Sequence, residues 1–197
     1  GQKPHLVCEK ERIVTKVYGV GVLGLGHWYS GFGVARGLWE YPRADLVAVA
    51  DRDEAKAREF GETFGVDWYT DYDALIARDD IDIMHIAPPG IDECAIKTAA
   101  VGKHMVLGKP LAMTVLDAKE MVDKVSASGV VCVPQQMSFL MRAGRVQARI
   151  AAGDIGEIVL YHSRGQWGIA EDWFHSGKPG WFADSTQTPG GALIDEG

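Results

Sequence analysis

Residues 16–51 read KVYGVGVLGLGHWYSGFGVARGLWEYPRADLVAVAD, and this stretch decides the fold. An apolar run, a glycine-rich turn, a helical pattern, a second apolar run and a closing acid follow one another, as in a dinucleotide-binding βαβ unit. Two glycine registers compete. Gly19-x-Gly21-x-x-Gly24 matches G-x-G-x-x-G to the letter, but it puts Gly24 and Gly26 inside the following helix, at a cost of about 1 kcal/mol each relative to Ala. Gly24-x-Gly26-x-x-Tyr29 instead makes 17–23 the strand and starts the helix near His27. The second register is preferred. It leaves Tyr29 where the third glycine lets helix and strand pack closely, with Gly31 and Gly33 just beyond to relieve crowding.

The same alternation continues downstream. Helical spacing of Trp28, Phe32, Ala35 and Leu38/Trp39 predicts a helix over 28–40 with one apolar face, stopped by Pro42. The run LVAVA at 46–50 is a strand covered on both faces. Asp53 caps a helix over 54–64 that ends at Gly65. Thr70-Asp71 opens a short helix with Leu75 and Ile76, and strands follow at 81–87, 104–107 and 129–134. Helices are expected at 91–101, at 115–127 behind the capping pair Thr114 and Asp117, and at 140–152. The expected fold class is therefore α/β, a Rossmann-type doubly wound parallel sheet. A strand at 157–164 is read as the start of a second domain, and the tryptophan-rich loops beyond it belong there too. The expected organisation is an arm at 1–15, a dinucleotide-binding domain at 16–137 and an incomplete second domain at 138–197.

Composition narrows the function classes. A net charge of −7 argues against nucleic acid or an anionic membrane as partner. Neither a membrane-length apolar run nor a signal peptide is visible, and Cys8, Cys94 and Cys132 lack C-x-x-C spacing. Reduced thiols and a cytoplasmic location are expected. No His pair has the spacing of a helical zinc site, so no metal is expected.

Asp51 closes the second strand, where a carboxylate accepts hydrogen bonds from both adenosine ribose hydroxyls and repels a 2′-phosphate. A helix-capping acid is the plainer alternative. Arg52 beside it can stack on adenine or tolerate NADP. Pro88-Pro89 ends a buried strand at the expected crevice, whereas His85 within that strand reads as core. Lys109, in Gly108-Lys109-Pro110, lies at the carboxyl end of a parallel strand and so at the ligand crevice, suited to a substrate hydroxyl or to proton transfer. A solvated surface lysine is its plainer reading. Near the end, Trp167, Trp173, Trp181, His175 and Asp195 cluster with glycines. Aromatic rings beside polar groups suit carbohydrate C–H faces, with the core of a second domain the equal alternative.

The stretches GVLGLG, LVAVAD, IDIMHIAPP, AVGKHMVLGKPLA, IAAGDIGEIVLYHSRG and PGGALIDEG together resemble the glucose–fructose oxidoreductase/inositol dehydrogenase (Gfo/Idh/MocA) family, in its order and spacing. The resemblance implies an NAD(P)-dependent dehydrogenase of sugars, polyols and related compounds. It also implies a Rossmann domain joined to an α+β domain whose open mixed sheet often mediates homo-oligomerisation. Gly24 and Gly26 match the phosphate turn and Asp51 the ribose acid. Lys109 matches the active-site lysine of E-K-P, whose Lys–Pro peptide is commonly cis, and Asp195 the acid of D-x-G-x-H. The expected cofactor-binding set is Gly24, Gly26, His27, Trp28, Tyr29, Asp51, Arg52, Ala87, Pro88, Pro89, Lys109 and Gln136. Lys109 and Asp195 are the expected catalytic pair, and Lys109, Trp167, Trp173, His175 and Asp195 the substrate contacts.

Three departures stand out. Gly108 replaces the glutamate of E-K-P, Ile91 replaces a common histidine, and Tyr29 replaces the third glycine. The histidine that serves as base in the family falls two residues beyond Gly197, so the sequence reads as the N-terminal portion of a longer enzyme. The competing expectation is a non-catalytic nucleotide-binding protein on the same fold. A third is a structural fragment whose strand near 157–165 is unpaired and adhesive.

Overall fold

The structure, a computed structural model, describes residues 16–26, 28–135, 143–160, 162, 174–175, 178–179 and 184–187. Six strands form one sheet: β1 (Tyr18–Leu23), β2 (Ala44–Ala50), β3 (Asp67–Tyr69), β4 (Ile83–Ile86), β5 (His104–Leu107) and β6 (Cys132–Pro134). Their order is β3-β2-β1-β4-β5-β6, and every neighbouring pair is parallel. Between them run α1 (Trp28–Glu40), α2 (Glu54–Phe64), α3 (Tyr72–Ile76), α4 (Ile91–Ala100) and α5 (Val115–Ser128). The strand order reverses direction between β1 and β4, which opens a crevice beyond their carboxyl ends.

Side-chain alternation explains why helices are needed on both faces. Val22 and Val49 point to one face, where they pack with Leu25, Ala35 and Phe60 from the α1 and α2 side. Their neighbours Leu23, Ala48 and Ala50 point to the other, against Leu75 and Ile76 of α3, Ile91 and Ala95 of α4, and Met121 and Val125 of α5. On the first face Phe60 meets Phe32 and Phe64 with ring centroids 5.0 and 4.7 Å away, which pins α1 to α2. Trp39, expected on the apolar face of α1, is instead 56% exposed, and Val34 packs against this core in its place.

The caps follow the sequence closely. Asp53 accepts from the amides of Ala55 and Lys56 and opens α2, and Gly65 closes it at φ 68°. Thr114 accepts from Asp117 N at the start of α5, as its spacing predicts.

Several elements differ from expectation or fall partly outside the described residues. The strand β3 is not anticipated by the sequence reading; at three residues it is too short to show a period. Residues 157–160, expected as strand, carry no strand pairing, and Val159 and Leu160 are 90% and 83% exposed. The helix expected over 140–152 is described as α6 (Ala143–Ala151). Beyond it the described residues show only a short antiparallel pair, β7 (Phe174–His175) with β8 (Lys178–Pro179), so the open mixed sheet expected of a second domain lies outside them. No helix among the described residues is long and apolar enough to cross a membrane.

Candidate functional site

The strands end in step. Tyr69, Ala50, Leu23, Ile86, Leu107 and Pro134 are register partners across the whole sheet. The residues immediately after this row are tied back to it. Asp51 N donates to Tyr69 O, Gly24 N to Ala50 O, Ala87 N to Leu23 O, Gly108 N to Ile86 O and Gln135 N to Leu107 O, at 2.7–3.1 Å. One sheet edge therefore carries Asp51, Gly24, Ala87 and Gly108 side by side, with Lys109 next in sequence. At ~4.8 Å between strands, Asp51 and Gly108 stand about 14 Å apart.

Gly24 sits at φ +86°, and a Cβ added there would lie 2.5 Å from Pro88 Cβ and 2.6 Å from Pro88 N. The turn after β1 is thus pressed against the end of β4, and the buried Pro88 forms the floor. Gly31 supplies the close approach that Tyr29 does not: its Cβ would meet Leu25 Cδ2 at 2.8 Å, whereas Gly33 has open space. Gly19 and Gly21 have a separate purpose. A Cβ on Gly19 would fall 1.9 Å from Asp80 O and one on Gly21 2.8 Å from Ile81 Cδ1, so both serve packing inside β1.

Asp51 is 8% exposed. Its Oδ2 accepts from Leu25 N at 2.6 Å and its Oδ1 from Asp53 N at 2.8 Å. Arg52 is exposed and holds its guanidinium 5.2 Å above the Tyr72 ring. Beside it lies a cavity of ≈ 110 Å³ lined by Arg52, Thr70, Tyr72, Glu93, Cys94 and Lys97 among others. Burial, reinforced by the Asp51 charge, pushes the Tyr72 hydroxyl well above its usual range. Burial also pushes the Cys94 thiol up to about 11, which makes it a poor nucleophile. The sequence reading misses this cavity because its Thr70 wall exists only through β3. The Trp68-Tyr69 pair before the Thr70-Asp71 turn is the one local signal for it.

The remaining expected residues divide clearly. Ala87 and Pro88 are buried and Pro89 half-buried on the same edge, and the half-buried Lys109 joins Pro110 through a cis peptide. His85 is 2% exposed within β4 and is core, as expected. Ile91 is likewise core, at the first turn of α4. Gly108 is buried, and its Cβ would stand 3.3 Å from Ala87 Cβ, so the backbones of β4 and β5 approach closely here. Trp28 and Tyr29 lie in the first turn of α1. His175 lies in β7, paired with Lys178 of β8. His27, Gln136, Trp167, Trp173, Trp181 and Asp195 fall outside the described residues. No group of three or more His, Cys, Asp or Glu suited to a metal ion occurs among the described residues.

Six parallel strands in this order, a glycine turn at the switch point and an acid after β2 define a Rossmann-type dinucleotide-binding α/β domain. The chain belongs to the Gfo/Idh/MocA oxidoreductase family: the model of that family, described as an oxidoreductase family with an NAD-binding Rossmann fold, matches residues 18–136. Scyllo-inositol 2-dehydrogenase (NAD(+)) of Bacillus subtilis is 32% identical over 148 residues, 71% of this chain and 42% of its own. A dTDP-3,4-didehydro-2,6-dideoxy-alpha-D-glucose 3-reductase of Streptomyces antibioticus is 31% identical over 125 residues, 61% of this chain and 38% of its own. The crystal structure of GenD2 from gentamicin A biosynthesis, in complex with NAD, superposes with a TM-score of 0.73 at 26% identity, covering 96% of this chain and 53% of that one. The chain spans about two fifths of the length of the curated relatives it matches.

Proposed function

We propose that the whole protein is an NAD(P)-dependent oxidoreductase acting on a CH–OH group of a sugar, polyol or related compound. The observation that carries this reading is the shared sheet edge. Asp51, the Gly24–Gly26 turn, Pro88 and the Gly108-Lys109 step follow one another across the switch point, in the order an extended dinucleotide would meet them. The cradle fits such a cofactor, because the absence of a Cβ at Gly24 lets the backbone of the phosphate turn lie directly against Pro88, level with the end of β4.

In this reading Asp51 receives the adenosine ribose and the cavity beside Arg52 takes the adenine. Because Gly24 N and Leu25 N are already bonded within the protein, the pyrophosphate falls to the amides of Gly26 and of Trp28 and Tyr29 in the first turn of α1, with His27 as a further cofactor contact. Ala87, Pro88, Pro89 and Gln136 wall the nicotinamide half. Bound nicotinamide supplies a hydride acceptor at C4. Lys109 hydrogen-bonds the reacting hydroxyl and steadies its oxygen as the proton leaves. Asp195 is the second catalytic residue, an acid–base group for that proton, and Trp167, Trp173 and His175 contact the carbohydrate from a second domain beginning near residue 138. That domain also mediates homo-oligomerisation. The carbohydrate class rests on the relatives named for inositol and dTDP-sugar chemistry.

The buried Gly108, lacking the family's glutamate, favours a second reading, a nucleotide-binding protein without turnover. One experiment separates the two. NAD and NADP are titrated into the protein, and hydride transfer is then followed by nicotinamide absorbance across a panel of sugars and inositols. NAD binding with turnover of at least one substrate supports the enzyme. NAD binding with none across the panel leaves the second reading, and no binding of either cofactor refutes both.

A further inference from the structure

Asp51 does more than wait for a ribose. Its carboxylate is almost wholly buried, and each oxygen is already bonded to a main-chain amide from a different loop. Oδ2 holds Leu25 N, the residue between Gly24 and Gly26, at 2.6 Å. Oδ1 holds Asp53 N, and Asp53 in turn caps α2 through Ala55 N and Lys56 N. Short bonds from neutral amides to a buried carboxylate are charge-assisted and about twice as strong as neutral ones. The preceding amide, Gly24 N, is held by Ala50 O at 2.8 Å, so two consecutive amides of the turn are anchored to the end of β2.

The geometry points to Asp51 as a positioning residue for the phosphate turn: through Leu25 it shapes the Gly24–Gly26 loop before any cofactor arrives, so that ribose and phosphate recognition form one coupled unit. This rests on the cofactor reading above. A carboxylate has about four lone-pair sites. Two serve Leu25 and Asp53, and two remain for the ribose hydroxyls, so both duties are compatible. The consequence is specific. Replacing Asp51 to admit a 2′-phosphate also releases the turn, unless the new side chain still accepts from Leu25 N.

The test uses ADP-ribose and its analogue lacking both hydroxyls on the adenosine ribose, titrated calorimetrically into the parent chain and into D51A and D51N. The analogue offers Asp51 no ribose hydroxyl. If Asp51 positions the turn, D51A weakens the analogue about tenfold, the loss expected from one charge-assisted bond. D51N keeps one oxygen to accept from Leu25 N and gives up the bond to Asp53 N, so it restores part of the analogue's affinity. Hydrogen exchange at the Leu25 amide, without ligand, rises in D51A and stays slow in D51N. Analogue affinity unchanged in D51A, with ADP-ribose alone weakened, overturns the proposal. Should D51A not fold, D51V, which fills more of the site and has no acceptor, carries the same comparison. A parent chain that binds neither ligand refutes the cofactor reading itself.

Discussion

Replacing Gly24 with alanine is the sharpest test of which glycines form the cofactor turn. Two costs add at this position. The backbone lies at φ +86°, a region costing an L-residue about 1–2 kcal/mol. The new methyl would also stand 2.5–2.7 Å from three atoms of Pro88, one of them backbone nitrogen, with no flexible side-chain end to move aside. Overpacking of that kind costs about 1–3 kcal/mol. Together the two predict a loss of about 2–5 kcal/mol and a turn displaced from the crevice edge. The internal control is Gly33, exposed in the interior of α1 with nothing within 4 Å of its added Cβ. There Gly→Ala should stabilise by about 0.5–1 kcal/mol. Urea denaturation of G24A and G33A against the parent measures both signs, and NAD titration shows whether the turn was lost. A G24A variant that unfolds within 0.5 kcal/mol of the parent and binds NAD equally would refute the assignment of the turn to Gly24.

Other outcomes follow from the packing. Lys103 is 9% exposed, and its Nζ donates to Arg78 O and Ile81 O at 2.5 and 2.8 Å. K103M strands those carbonyls and should cost about 2–4 kcal/mol by urea denaturation, while leaving cofactor affinity within about twofold, since the loop lies at the opposite end of β4 from the crevice. Phe60, fully buried between Phe32 and Phe64, should cost about 3–5 kcal/mol on replacement by Ala. Stability should also fall in acid. The Lys16 ammonium and then Gly19 N hold the Asp82 carboxyl below its usual range, and Arg78 does the same for Asp80. Folded pKa values below the unfolded ones give stability that is complete above the ordinary carboxylate range. That contribution is lost as pH falls through about 4 towards the folded values. Denaturation midpoints measured down that range should drop less steeply in D82N than in the parent.

Much of this fold is legible along the chain because its signals are local. Apolar runs, the Asp53 and Thr114 caps and the glycine stop at 65 each depend on a few neighbouring residues. Helix α2 is anticipated at its observed ends for that reason. The choice of Gly24 and Gly26 over Gly19 and Gly21 also rests on a local cost, since glycine in a helix is disfavoured. The edge strand β3 is not legible: three residues carry no period, and only pairing of Ala48, Val49 and Ala50 with them makes a strand.

The site divides in the same way. Its residue types, a glycine turn, an acid after a strand and a lysine before a proline, can be read in order from the sequence. That they share one edge is a property of register, because six strand ends contributed by residues 23 to 134 come level only when the sheet is paired. Why Gly19 and Gly21 are glycines is likewise answered by Asp80 and Ile81 some 60 residues away. The two bonds of Asp51 show the limit most plainly. From the sequence Asp51 is a carboxylate at the end of a strand, expected to meet a ribose; the tertiary structure decides that it holds Leu25 N, because β1 and β2 end side by side.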